Sequence, residues 1–219
     1  MISVAISHMR EDPQRRAWVV DIRREIPKAR IVYDMGLGMW NTCKRAWLAG
    51  VEHEPDASHH AVISDDMLPC PNFLSLLNGA VEARPDSMIC FFSMRGVLLE
   101  AKDQGLSWIE TENGLWGGAM VMPTDYIPQW LKWERANVKP DYPWDDTRMK
   151  LWAEHAVIPR FITAPSLAQH EGAAVSLVGN ANRRRVSPWV SDGSPVDWST
   201  DAIRRKAYIP QSLKDEALL

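Results

Sequence analysis

Cysteine is scarce in this chain. Cys43, Cys70 and Cys90 are the three among 219 residues, widely spaced and odd in number. No C-x-x-C pair occurs, so the sequence carries no disulfide framework, and a reduced, cytoplasmic protein is the expectation. Long apolar runs are missing too. No stretch approaches the roughly 20 apolar residues that cross a bilayer. The opening MISVAISHMRED does not read as a secretory signal, because its apolar run is short and its charges follow that run. There is no surplus of positive charge: 25 Lys and Arg stand against 28 Asp and Glu. Any contact with nucleic acid would therefore fall to a local basic patch. Internal repeats and low-complexity tracts are absent as well.

What remains is ordinary globular composition, 46% apolar and 24% charged, in a length that suits one domain with a real core. The surplus is in tryptophan, of which there are 11. Tryptophan fits where a flat apolar face meets a sugar or an unstacked base. For most of the eleven, core packing is the expected role.

Apolar, β-branched segments alternate with segments of helical periodicity. ISVAIS, RIVYD, AVIS, SMICFF, GGAMVMP and VIPRFITA read as strands, the last of these closing the series, with shorter strands at VLLE and SWIE. Asp12-Pro13 reads as an N-cap followed by proline at the first helical position. Gly50 reads as the terminator of a second helix, Thr124-Asp125 as a cap, and YPWDD as the start of a helix running to residue 155. This alternation predicts an α/β domain whose mostly parallel central sheet is flanked by helices. After residue 180 the composition turns to Arg, Ser, Pro and Gly. The predicted division is a domain over 1–180 and a flexible or partly helical tail over 181–219.

Five constellations carry possible chemistry. Asp65 and Asp66 follow a strand, where open α/β sheets bind ligands, and paired carboxylates suit Mg²⁺ or Mn²⁺ beside a phosphate. His170, in APSLAQHEG, is a candidate third ligand. Asp145 and Asp146 open a helix, where capping explains them as readily as a general base does. Gly117-Gly118 after Trp116 allows close approach to the backbone, or simply a turn. Arg183, Arg184 and Arg185, with Lys44 and Arg45, suit a diphosphate, a nucleic-acid backbone or plain solvent.

The order of these pieces resembles the GT-A nucleotide-sugar glycosyltransferases over roughly residues 1–180. The resemblance implies a GT-A-like domain and a nucleotide-sugar donor, UDP-linked by expectation. It places the donor at Ile6, Ser7, His8, Asp34, Arg45, Asp65, Arg183 and Arg184. Ser64-Asp65-Asp66 stands where the family has an Asp-x-Asp variant, without the first Asp. The implied metal ligands are Asp66 and His170, with Asp65 assisting, for Mn²⁺ or Mg²⁺. WGGAMVMP looks like the acceptor loop, giving Trp116, Gly117 and Gly118 with Trp144. PWDD supplies the base, Asp146 ahead of Asp145.

The chain is also similar, more loosely, to small phage-type enzymes that decorate hydroxymethylated pyrimidines in DNA. A hydroxymethylated base in DNA is thus one expected acceptor, with Trp116, Trp144 and Trp189 available to stack on it. A cell-surface glycan or lipid-linked sugar is the competing acceptor. A sugar-nucleotide pyrophosphorylase fits poorly, because SHMREDPQRR after the first strand has no glycine. A non-enzymatic nucleic-acid-binding α/β module is the competing class.

Overall fold

The structure, a computed structural model, describes residues 1–171, 185–206 and 218. Arg183 and Arg184 lie outside the described residues. Three parallel strands form one end of the sheet: β1 (Ile2–His8), β2 (Arg30–Tyr33) and β3 (His59–Ser64). The helices between them are α1 (Pro13–Glu25) and α2 (Met39–His53). Capping starts α1 as expected: the Asp12 carboxylate accepts from the Gln14 and Arg15 amides, and Pro13 takes the first turn.

A short strand β4 (Met67–Pro69) leads to α3 (Phe73–Ala83) and β5 (Met88–Cys90). Next come α4 (Val97–Asp103), β6 (Trp108–Thr111), β7 (Ala119–Pro123), α5 (Tyr126–Asn137) and α6 (Asp145–His155). The last described strands are β8 (Arg160–Thr163), β9 (Ala168–His170) and β10 (Ala202–Arg205).

Eight strands make the main sheet in the order β10-β6-β8-β5-β7-β3-β1-β2, and β4 pairs with β9 in a small second sheet. Four of the seven pairings in the main sheet are parallel. Those of β7 with β3 and β5, and of β6 with β8, are antiparallel. The chain is thus an α/β protein with a mostly parallel sheet flanked by six described helices.

Alternation along the strands feeds two cores. Ile6, Ile63 and Val121 face α1 and α3, packing with Val19, Ile22, Phe73 and Leu77. Ala5, Val62 and Met120 face the other helices, packing with Trp47, Leu98, Trp130 and Trp152. Trp47, Trp108 and Trp130 are fully buried, so for these the core role is the observed one. No described helix is long and apolar enough to cross a membrane.

Four expectations change. VLLE belongs to helix α4, not to a strand: Leu98 and Ala101, three residues apart, turn inward together. Gly50 does not end α2, which runs on to His53. A β-carbon there would stand 2.7 Å from Cδ2 of the buried His60 ring, so glycine is needed for helix–strand packing. VIPRFITA does not hold the last strand, since β9 and β10 follow it. The described residues 185–206, assigned above to the tail, join the domain. β10 extends the sheet beside β6, and the Trp198 ring packs tilted against Trp108 at 4.9 Å while its carbonyl accepts from the Trp108 indole.

Candidate functional site

Parallel pairing of β1 and β3 aligns Ser7 with Ser64, so both strands deliver their following residues to one edge. This is the carboxyl edge, where open α/β sheets bind ligands. The chain turns there through Asp65 and Asp66, and the Asp65 amide donates to the Ser7 carbonyl at 3.0 Å. The antiparallel strand β7 starts at the same edge. The Ser64 amide donates to the Gly118 carbonyl at 2.8 Å. A β-carbon on Gly118 would stand 3.1 Å from the Ser64 β-carbon and from the Trp116 indole nitrogen.

The small sheet completes the edge. β4 begins one residue after Asp66, and its pairing sets Met67 opposite His170. The Glu171 amide then donates to the Asp66 carbonyl at 2.8 Å. His170 is thereby fixed beside a residue 104 positions earlier, its Nε2 3.7 Å from Asp66 Oδ2. Its other ring nitrogen is buried without a hydrogen-bond partner. Burial lowers the His170 pKa. Asp66 opposes that shift and Arg185 adds to it. The ring is therefore neutral at pH 7 and keeps a lone pair for a cation. Trp116 stands edge-on to it at 6.1 Å, and the Arg185 guanidinium lies 4.9 Å over Trp116.

The two aspartates differ sharply. Asp65 is 2% exposed. Its Oδ2 accepts from the Met9 amide at 2.8 Å and from His8 Nδ1 at 2.9 Å, and its Oδ1 accepts from Arg15. Both oxygens are committed within the protein. Asp66 accepts from Arg15 through Oδ2 at 3.0 Å and lies next to His170. A carboxylate oxygen and a neutral imidazole nitrogen at this separation fit a cation that a diphosphate would complete. Asp65, so engaged, does not offer itself as a ligand. Among the described residues, no group of three or more His, Cys, Asp and Glu is arranged to hold a metal.

Arg15 went unnoticed in the sequence. A signal was there: the cap at Asp12 puts a cation in the first turn, against the helix dipole, so a carboxylate partner is required. Burial lowers the Arg15 pKa, but the attraction of Asp66 and Asp65 outweighs it and the net shift is upward.

The acidic pair opens α6 and meets the glycine loop. A β-carbon on Gly117 would stand 2.8 Å from Asp145 Cγ, so glycine here admits the carboxylate. Burial raises the Asp145 pKa, and the Cys43 thiol beside it lowers it. Burial and the Asp145 charge push Asp146 up to about 6. Asp146 Oδ1 accepts from the Thr147 amide at 2.7 Å. The Cys43 thiol is pushed well above its ordinary value by burial and by Asp145, so it is no nucleophile. Trp144 precedes the pair and is 40% exposed.

Asp34, after β2, is tied to the edge by its amide, which donates to the His8 carbonyl at 2.7 Å. Its Oδ1 accepts from the Gly36 amide and the Thr42 hydroxyl. Arg45 donates to the Tyr33 carbonyl at 2.9 Å from an exposed position. Ser7, His8, Asp65, Asp66, Trp116, Gly117, Gly118, Asp145 and His170 are thus gathered at one edge. Asp34 adjoins it through His8, and Arg45, exposed on α2, reaches the end of β2 through the Tyr33 carbonyl.

No protein-family model matches the chain, and no curated protein matches it. Among solved structures it is similar to A197 from STIV, at 13% identity and a TM-score of 0.49, over 94% of this chain and 97% of that chain. Likeness at that level carries no functional weight.

Proposed function

We propose that the chain is a metal-dependent glycosyltransferase that moves a sugar from a nucleoside-diphosphate donor, UDP-linked by preference, to an acceptor hydroxyl. The observation that carries this reading is the convergence at one sheet edge. The β4–β9 pairing sets neutral His170 beside Asp66, while the glycine loop lies against Ser64 at Gly118 and against Asp145, the first of the acidic pair, at Gly117. Bond cleavage builds negative charge on the diphosphate, and bond formation releases a proton from the acceptor; the edge holds a group for each.

Asp66 and His170 would hold Mn²⁺ or Mg²⁺, which supplies Lewis-acid stabilisation of the departing diphosphate. Asp65 positions His8 and Arg15 instead of binding the ion. Asp146, with its pKa at about 6, accepts the acceptor proton near neutral pH. Asp145 raises the basicity of Asp146 through its charge, and Gly117 gives it room. The acceptor oxygen, its proton passing to Asp146, would attack opposite the departing diphosphate and so invert the anomeric centre. Trp116 and exposed Trp144 offer flat faces to the acceptor. A hydroxymethylated pyrimidine flipped out of DNA is the acceptor we favour, with a glycan or lipid-linked sugar as the alternative.

The test is nucleotide release from a panel of UDP-sugars with Mn²⁺, with and without hydroxymethylated DNA. Acceptor-stimulated release that is lost in Asp66→Asn and Asp146→Asn supports the reading. No release with any sugar, together with salt-sensitive DNA binding that needs neither metal nor nucleotide, would replace it with a nucleic-acid-binding module.

A further inference from the structure

Arg15 is a cation buried beside the carboxylate assigned to the metal. It is 4% exposed, bonded to both Asp65 and Asp66, with its Nε 3.7 Å from Asp12. A second guanidinium, that of Arg185, lies over Trp116, whose ring is edge-on to His170. Of the two, Arg15 is the one bonded to both central carboxylates. A divalent ion arriving alone meets a guanidinium already on Asp66 Oδ2 and, among the described residues, no third ligand. Repulsion between Arg15 and a dication is large in so buried a place. A diphosphate changes this balance, because it brings negative charge and oxygen ligands together.

We propose that Arg15 is the resident counter-ion of Asp66 and makes cation binding conditional on the diphosphate: the divalent ion is held at Asp66 with a nucleoside diphosphate and only weakly without one. This rests on the reading of Asp66 and His170 as the cation's ligands. Arg15 is here a positioning residue, held by Asp65 when Asp66 turns to the ion. The site so built does not sequester free Mn²⁺ while the donor is absent.

Mn²⁺ titration followed by the electron paramagnetic resonance of the free ion tests this without any turnover. Wild type, Arg15→Lys, Arg15→Met and Asp66→Asn are titrated alone and with UDP, GDP, CDP or ADP at saturation. Wild type should bind Mn²⁺ about tenfold or more tighter with the matching nucleotide than without it. Arg15→Met should tighten nucleotide-free binding by about tenfold, Arg15→Lys should retain the wild-type gap, and Asp66→Asn should lose Mn²⁺ in both states.

Free Mn²⁺ is read against a protein-free nucleotide control, and should Arg15→Met not fold, Arg15→Gln takes its place. Equal Mn²⁺ affinity with and without nucleotide overturns the role of Arg15 and leaves the cation site standing. An Arg15→Met protein whose nucleotide-free affinity is unchanged does the same. Failure of wild type to bind Mn²⁺ with any of the four nucleotides overturns the cation site itself, and this proposal with it.

Discussion

Replacing Asp65 by Asn separates the two adjacent aspartates, because the account gives Asp65 to the fold and Asp66 to the ligand. Asp65 accepts from three donors, the Met9 amide, His8 and Arg15. An asparagine side chain has one acceptor oxygen. Whichever way it turns, its NH₂ group faces a buried donor and the charge opposite Arg15 is gone. Removing one partner of a buried ion pair costs about 3–5 kcal/mol. Arg15 keeps Asp66 at 3.0 Å, with Asp12 3.7 Å away, which reduces the cost to about 2–4 kcal/mol. Urea unfolding reads this directly. With a slope of about 2 kcal/mol per molar, the midpoint should fall by about 1–2 M. Asp65→Asn with Arg15→Met should cost less than the sum of the two single changes, because the pair couples. A midpoint shift below about 0.3 M, or strict additivity, would refute the assignment of Asp65 to structure.

Four further outcomes are expected. His60 is buried, donates from Nε2 to the Ala46 carbonyl at 2.9 Å and meets the Ser3 hydroxyl through Nδ1 at 2.7 Å. Burial holds its pKa at about 4, below an unfolded value near 6.5. The unfolded chain therefore takes the proton first: stability is full above pH 6.5 and falls by about 3 kcal/mol in total as pH drops to 4, a loss that His60→Gln should largely remove from urea titrations at pH 7, 5.5 and 4. Asp145→Asn takes away a charge that raises Asp146, so the acid limb of the rate–pH profile, near pH 6 in wild type, should move lower; an unmoved limb would detach Asp145 from the base. Gly117→Ala should leave far-ultraviolet circular dichroism unchanged yet cut turnover at least about tenfold, because its β-carbon displaces the Asp145 carboxylate. Trp198→Ala should cost about 3–5 kcal/mol in thermal or urea unfolding, since Trp198 packs against Trp108 in the core; a loss under about 1 kcal/mol would return this segment to the status of a tail.

The elements with strong periodicity were legible in the sequence. The cap at Asp12-Pro13 and the buried strand ISVAIS stand where capping chemistry and apolar pattern put them, and the helix after PW starts as expected, although its N-cap is Trp144 without a side-chain cap bond and the two aspartates fall in its first turn. VLLE was not legible, because an apolar triplet has the same look in a strand and in a short helix, and packing of Leu98 and Ala101 decides. Gly50 misled for a related reason: glycine marks helix ends by its conformation, whereas here it is selected by the His60 ring. β10 hides in a stretch rich in Ser, Pro and Gly, and its pairing with β6 spans more than 90 residues, beyond any local signal.

At the site, the candidates at the ends of long strands came together because parallel pairing forces them to one edge. The neighbourhood of His170 and Asp66 depends on two three-residue strands, too short to leave a pattern. Arg15 is the residue that sequence reasoning lacked: its place in the first turn of α1 pointed to a carboxylate partner, and only the fold says that the partners are Asp65 and Asp66.

The central claim is that Asp66 and His170 form, with a nucleoside diphosphate, a divalent-cation site. Thermal unfolding of wild type, Asp66→Asn and His170→Ala with UDP, GDP, CDP and ADP, each with and without Mn²⁺, tests it most directly. A ligand that binds only the folded chain adds about 2.7 kcal/mol at a hundredfold excess over Kd, a shift of several degrees. The account predicts such a shift for one nucleotide with Mn²⁺, strongly reduced without the ion and lost in both variants. Folded protein whose melting temperature stays put with all four nucleotides, or a shift that survives in Asp66→Asn, would contradict it.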